Sequence, residues 1–163
     1  MATSSPLPRL RSGAVAMDAA APAAYALGGL LLAGEAVVHV QQYVSEFHDV
    51  RWIGPLFLAN AAAVLVTIAG LTQPRTRRLA ALAGVVISAV ALGSLIISYG
   101  NGLFGWQEAG FRTPVALAMI TEAGAVILLA TALTLELGVR ANALTPRSPL
   151  GSSADTKPLP DPS

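Results

Sequence analysis

The sequence predicts an all-α transmembrane four-helix bundle, on three observations. The chain has 163 residues, of which 54% are hydrophobic and only 12% charged, with a mean hydropathy of +0.63, too apolar for an ordinary soluble domain of this size. Four apolar runs, at residues 22–44, 53–72, 79–99 and 113–138, each approach the ~20 residues that a helix needs to cross a hydrocarbon core of roughly 30 Å. Ala and Leu dominate these runs and no alternating polarity marks them, which disfavours a β-barrel.

The first run follows Arg9 and Arg11, an arrangement that also opens a signal peptide. Signal cores span only about 7 to 15 residues and end at a small-residue cleavage site, whereas this run continues to Val44, so a retained span is expected. Gly54 and Pro55 open the second helix, and Gln73 with Pro74 closes it. The link to the third helix is only Gln73 to Arg78, so helices two and three must be antiparallel neighbours. Thr113 and Pro114 suit the first turn of the fourth. Residues 1–21 and 139–163 are rich in Pro, Ser, Ala and Asp and short of large apolar groups, which predicts disordered tails. A start at Met17 would remove most of the first tail and change nothing else.

Eight of the ten basic residues fall in the tails and the short link, leaving Arg51 and Arg112 on the other side. The positive-inside rule then places both termini in the cytoplasm, and a multi-pass protein of the inner (plasma) membrane is expected. Tyr43, Phe47, Trp52, Phe57, Tyr99, Phe104, Trp106 and Phe111 cluster in or beside the two outer loops, so an aromatic cap is expected there. In the second loop, residues 100–110 combine bending glycines with membrane-anchoring Leu103, Phe104 and Trp106; a tight turn is favoured over an interfacial helix.

Little hydrophobic drive joins helices in lipid, so small residues and interhelical hydrogen bonds must supply it. Asn60, Ala63, Thr67 and Gly70 make such a face on helix two; Ala80, Gly84, Ser88 and Ala91 on helix three; and Ala118, Glu122 and Ala125 on helix four. On helix one Glu35, His39, Gln42 and Glu46 share a stripe, where charge must face protein or water rather than lipid. Counting 1.5 Å per residue from the outer ends puts His39 and Asn60 roughly 10 Å deep, Glu122 roughly 13 Å and Glu35 roughly 15 Å, with Ser94 shallower at roughly 8 Å. Glu35, His39, Asn60 and Glu122 are therefore the expected ligand- or proton-binding cluster, with Gln42 and Glu46 extending it outward.

Two carboxyls and an imidazole in low dielectric cannot all keep their solution ionisation, so a shared proton or a bound cation is the expected resting state. A hydrogen-bond network that only fixes helix register is the plainer alternative. Glu35, His39 and Glu122 could hold Zn or another divalent ion, although the bridging carboxylates of bundle metal sites are missing. Glu46, His48 and Asp49 form a second, weaker candidate, with Arg51 expected to pair with Asp49.

Cysteine is absent, which excludes disulfides, thiolate metal sites and covalent haem, and one intramembrane His cannot supply an axial pair. No cofactor is expected. No G-x-S-x-G or H-E-x-x-H motif supports hydrolysis, so a non-enzymatic protein is expected. A net charge of +1 without a basic patch excludes a nucleic-acid partner. The partners are the lipid bilayer and, for an accessory subunit or assembly factor, a second membrane protein or another copy of the chain. A redox enzyme holding a quinone near Trp52, Trp106 and His39 is a weaker reading. Segments 52–60 (WIGPLFLAN) and 102–108 (GLFGWQE) resemble small four-span membrane proteins of high-GC Gram-positive bacteria. The resemblance covers the four spans, implies their topology, and supplies no reaction, ligand or catalytic residue.

Overall fold

The computed structural model describes residues 9–144. Four helices account for most of them: α1 (Arg9–Gln42), α2 (Ile53–Leu71), α3 (Arg77–Gly100) and α4 (Thr113–Leu144). No strand occurs among the described residues beyond a single bridge between Leu103 and Trp106. Within these helices Ala19–Phe47, Ile53–Leu71, Arg77–Gly100 and Thr113–Ala141 are long and apolar enough to cross a membrane.

Two boundaries differ from expectation. Residues 9–21 and 139–144, read above as disordered tail, are helical. At the first of these, Pro22 lies inside α1 rather than at its start. Proline forfeits one backbone hydrogen bond, but the alanines around it have the highest helix propensity of any residue, and the helix runs through. The rest of the tails, 1–8 and 145–163, lies outside the described residues. At its other end α1 passes into a π-helical turn, Tyr43–Phe47. Sequence periodicity gave no sign of it.

The helices form a ring in which α1 packs on α2 and α4, and α3 on α2 and α4, so that chain neighbours are spatial neighbours. At the end carrying the α2–α3 turn, close helix contacts flank a groove lined by Pro22, Tyr25, Gly29, Ile68 and Leu71. Gly70 lies so near Ala80 that a β-carbon there would stand 2.8 Å from that of Ala80, which pins α2 to α3 where the turn joins them. Further in, Gly84 lets Leu129, Leu32 and Thr67 converge, and Leu32, Val64 and Leu129 are completely buried. These are the small-residue faces expected from the sequence, and they bring backbones together as lipid-embedded helices require.

Leu129→Ala tests this core. In lipid the unfolded reference keeps the side chain in an apolar medium, so only the packing share is lost, and the expected destabilisation is about 2 kcal/mol, the low end for a buried leucine. Denaturant titration in detergent micelles reads it; an unchanged midpoint would mean that the core is not close-packed.

An ion-pair cluster at the same end was not anticipated. Glu136 of α4 accepts hydrogen bonds from Tyr25 Oη of α1 at 2.6 Å and from Arg78 Nε and Nη2 of α3 at 2.9 and 2.6 Å, with Arg140 Nη2 3.7 Å away. Arg77 lies over the Tyr25 ring. Three helices are thus tied together where the spans end.

Candidate functional site

The candidate site lies toward the opposite, loop end. Between the helices lies a cavity of about 400 Å³, walled mainly by apolar residues of α2 and α3 and floored by His39, Asn60 and Glu122. Helical spacing explains the floor: His39 falls one turn after Glu35 on the buried side of α1, and Glu122 lies on the α4 face that packs against α1.

Glu35 is completely buried, Glu122 is 2% exposed and His39 7%. One ligand-capable atom from each lies within 4.8 Å of the others. The Nδ1–H of His39 donates to the Glu35 backbone carbonyl at 2.9 Å, which fixes the tautomer of the neutral ring and leaves the Nε2 lone pair free. Nε2 stands 3.8 Å from Glu122 Oε1, too far for a hydrogen bond. Ser88 Oγ of α3 donates to Glu35 Oε2 at 2.6 Å, and Asn60 of α2 approaches the same carboxyl. All four helices therefore contribute to one centre.

Its unmet valences are of one kind. Glu35 Oε1, Glu122 Oε2 and Asn60 Oδ1 are buried without a hydrogen-bond partner, and all three are acceptors. With the His39 lone pair they form a concentration of electron pairs to which Ser88 brings the only hydroxyl donor. No Lys or Arg pairs with either carboxyl among the described residues. Burying such groups uncompensated is strongly unfavourable, so the arrangement calls for protons or a cation.

The structure thus brings together Glu35, His39, Asn60 and Glu122 as expected and adds Ser88, which the sequence reading took only as a small packing residue. Gln42 is buried and lines the cavity, and Ser94 reaches its wall. Glu46 does not extend the cluster. It lies within the π-helical turn, whose i→i+5 spacing rotates it off the stripe, and it pairs with Arg112 instead. Hydrogen bonding to Glu46, reinforced by Glu108, holds the Arg112 guanidinium above its already high ordinary pKa.

The second candidate also comes apart. His48 Nε2 pairs with Asp49 Oδ2 at 3.0 Å, on the surface, while Arg51 lies over the Trp52 ring rather than on Asp49. The only three-residue group of metal-ligating type among the described residues is Glu35, His39 and Glu122.

The aromatic cap forms in part. Phe47 stacks on Phe57 with centroids 4.9 Å apart, Trp106 meets Phe47 edge-on at 5.1 Å, and Phe57 lies 4.9 Å from the His39 ring. Trp52, Phe104 and Phe111 stay exposed. The second loop is the tight turn: Leu103 and Trp106 exchange backbone hydrogen bonds around Phe104 and Gly105, both at positive φ as a type I′ turn requires. Folding this way carries Trp106 back over the cavity.

Comparison with models of known protein families, with curated proteins and with solved structures finds no match. By the length and composition of its helices, the chain fits the multi-pass integral membrane class. Its function must be read from the buried centre.

Proposed function

We propose that this is a non-enzymatic membrane protein that binds a divalent first-row transition ion, Zn²⁺ foremost, through Glu35, His39 and Glu122. The observation that carries the proposal is the meeting of two buried carboxyls and a free imidazole lone pair, with acceptor atoms left unpaired and no cationic side chain beside them. Two ionised carboxylates hold two negative charges, which one divalent ion neutralises while ligating both. A nitrogen in the set favours a transition ion, since Mg²⁺ and Ca²⁺ prefer oxygen ligands in larger number. Ligand atoms around a tetrahedral ion with bonds of ~2.0–2.1 Å stand about 3.3 Å apart, so side-chain rotations of about an ångström close the site.

The filled core beneath the centre leaves no through-path in this conformation, because Leu32, Val64 and Leu129 are fully buried there. Sensing or holding an ion fits this arrangement better than conducting one. The test is metal content of the full chain in lipid nanodiscs after equilibration with Zn²⁺ and dialysis: one ion per chain is expected. Absence of binding, with the wild type folded, would leave shared protons as the occupant of the centre. Loss of a co-purifying membrane protein on mutating the same residues would instead mark an accessory subunit.

The same reading places the loop end outside and both tails in the cytoplasm, supported by the asymmetry of Lys and Arg. A chain without cysteine makes this easy to check. Gln73→Cys, in the α2–α3 turn, should resist an impermeant maleimide in intact cells, whereas Asn101→Cys, in the second loop, should react; the reverse pattern inverts the topology.

A further inference from the structure

Four buried side-chain polar atoms lack a partner among the described residues, and three of them, on Asn60, Trp106 and Glu122, belong to residues that line the cavity. They are not alike. Asn60 Oδ1 and Glu122 Oε2 accept and lie at the floor, joined there by the His39 lone pair, while Trp106 Nε1–H donates and comes from the loop folded over the other end. Two further polar groups of the lining are engaged: Ser98 Oγ donates to the Leu95 carbonyl and Glu108 accepts from Arg112.

Between floor and roof the rings of His39, Phe57, Phe47 and Trp106 follow one another at about 5 Å spacing, with centroid separations of 4.9, 4.9 and 5.1 Å, and all four line the cavity. The facing wall is aliphatic. Its rim on α2 and α3 carries Leu56, Val86 and Val90, each about half exposed or more, hence turned to the acyl chains of a bilayer. The two helices are pinned at the turn end by Gly70 and Ala80, and toward the loop end residues of both line the cavity, with these exposed side chains among them.

We propose that this cavity binds a membrane-soluble quinol: an aromatic ring with oxygens on opposite edges and an apolar tail. One hydroxyl donates to Glu122 Oε2, beside Asn60 Oδ1; the oxygen on the far edge accepts from Trp106 Nε1–H; the ring lies along the aromatic file; and the tail leaves between α2 and α3. A volume of about 400 Å³ suits one ring with the first part of a tail. The site shares its floor with the proposed ion centre but does not require the ion.

The probe is a short-tailed 1,4-naphthoquinol, added to the full chain in nanodiscs under reducing conditions, with the thermal unfolding midpoint as readout. A saturable rise is expected for the wild type, with an apparent affinity about tenfold weaker for Trp106→Phe, which keeps the ring and removes the donor. Ala91→Phe, filling the cavity from α3, should abolish the rise while Zn²⁺ binding persists, so failure of this site is distinguishable from failure of the ion centre. No saturable shift in the wild type, an equal shift in both variants, or an equal shift with an alkanol of the same tail length would each overturn the proposal, the last by showing that the cavity takes any acyl chain.

Discussion

Glu122→Gln is expected to abolish stoichiometric Zn²⁺ binding while leaving the ion-free protein at least as stable as the wild type. The substitution keeps the shape of the side chain and removes one negative charge from a position 2% exposed. The centre loses a ligand and half of the charge that a divalent ion neutralises. Removing a residue that merely orients a ligand already costs 10–100-fold in metal affinity, so losing the ligand itself should cost more than about 100-fold. Without the ion, the neutral amide is cheaper to bury than a carboxylate, and the unfolding midpoint should hold or rise. Opposite signs for metal affinity and apo stability mark a binding site, because a purely structural network would lose stability on the same substitution. Glu35→Gln should behave alike, and Ser88→Ala, which removes the hydroxyl 2.6 Å from Glu35, should weaken binding by about 10–100-fold. Zn²⁺ counted per chain after dialysis, with Co²⁺ absorption as a second reading, checks all three. Undiminished binding by Glu122→Gln would end the assignment.

Gly54→Ala should be the most damaging single methyl in the chain. A β-carbon at Gly54 would stand 2.3 Å from the Phe47 carbonyl oxygen, with His48 O at 3.4 Å. Both obstacles are backbone atoms, so no rotamer change relieves them. That carbonyl also accepts from the Val50 amide at 3.0 Å, and Val50 O in turn accepts from Gly54 N, closing the α1–α2 turn. Phe47 anchors the aromatic file on the same side. Relief must come from displacing the whole turn, at about 3 kcal/mol or more. Chemical unfolding in detergent micelles should show the loss. A midpoint unchanged from the wild type would mean that the two backbones are not this close.

Much of this architecture was legible in the residues because membrane solvation leaves few choices. A span must be helical, must be about 20 residues long and must turn its ionisable groups inward, so Glu35, His39, Asn60 and Glu122 could be placed in one layer by counting rise per residue. What escaped were features decided by local geometry or by pairing across the bundle. The π-helical turn that redirects Glu46 leaves no periodic mark in five residues. Glu136 is a lone acid near the end of an apolar run, and only the packed helices show that Tyr25 and Arg78 reach it. Ser88 reads as a small packing residue until Glu35 is seen beside it, and the role of Trp106 depends on a turn at Phe104 and Gly105 that no spacing rule requires.

The fully buried layer of Leu32, Val64 and Leu129 closes the centre from the turn end and leaves the loop end as its approach. An ion that reaches it from the loop end descends about a third of the bilayer thickness, and so traverses about that share of the transmembrane voltage. For two charges this amounts to about 1.5 kcal/mol per 100 mV, or roughly a tenfold change in occupancy. Under the proposed topology, with the loop end outward and the cell interior negative, an energised membrane would draw the ion in and a depolarised one would let it go.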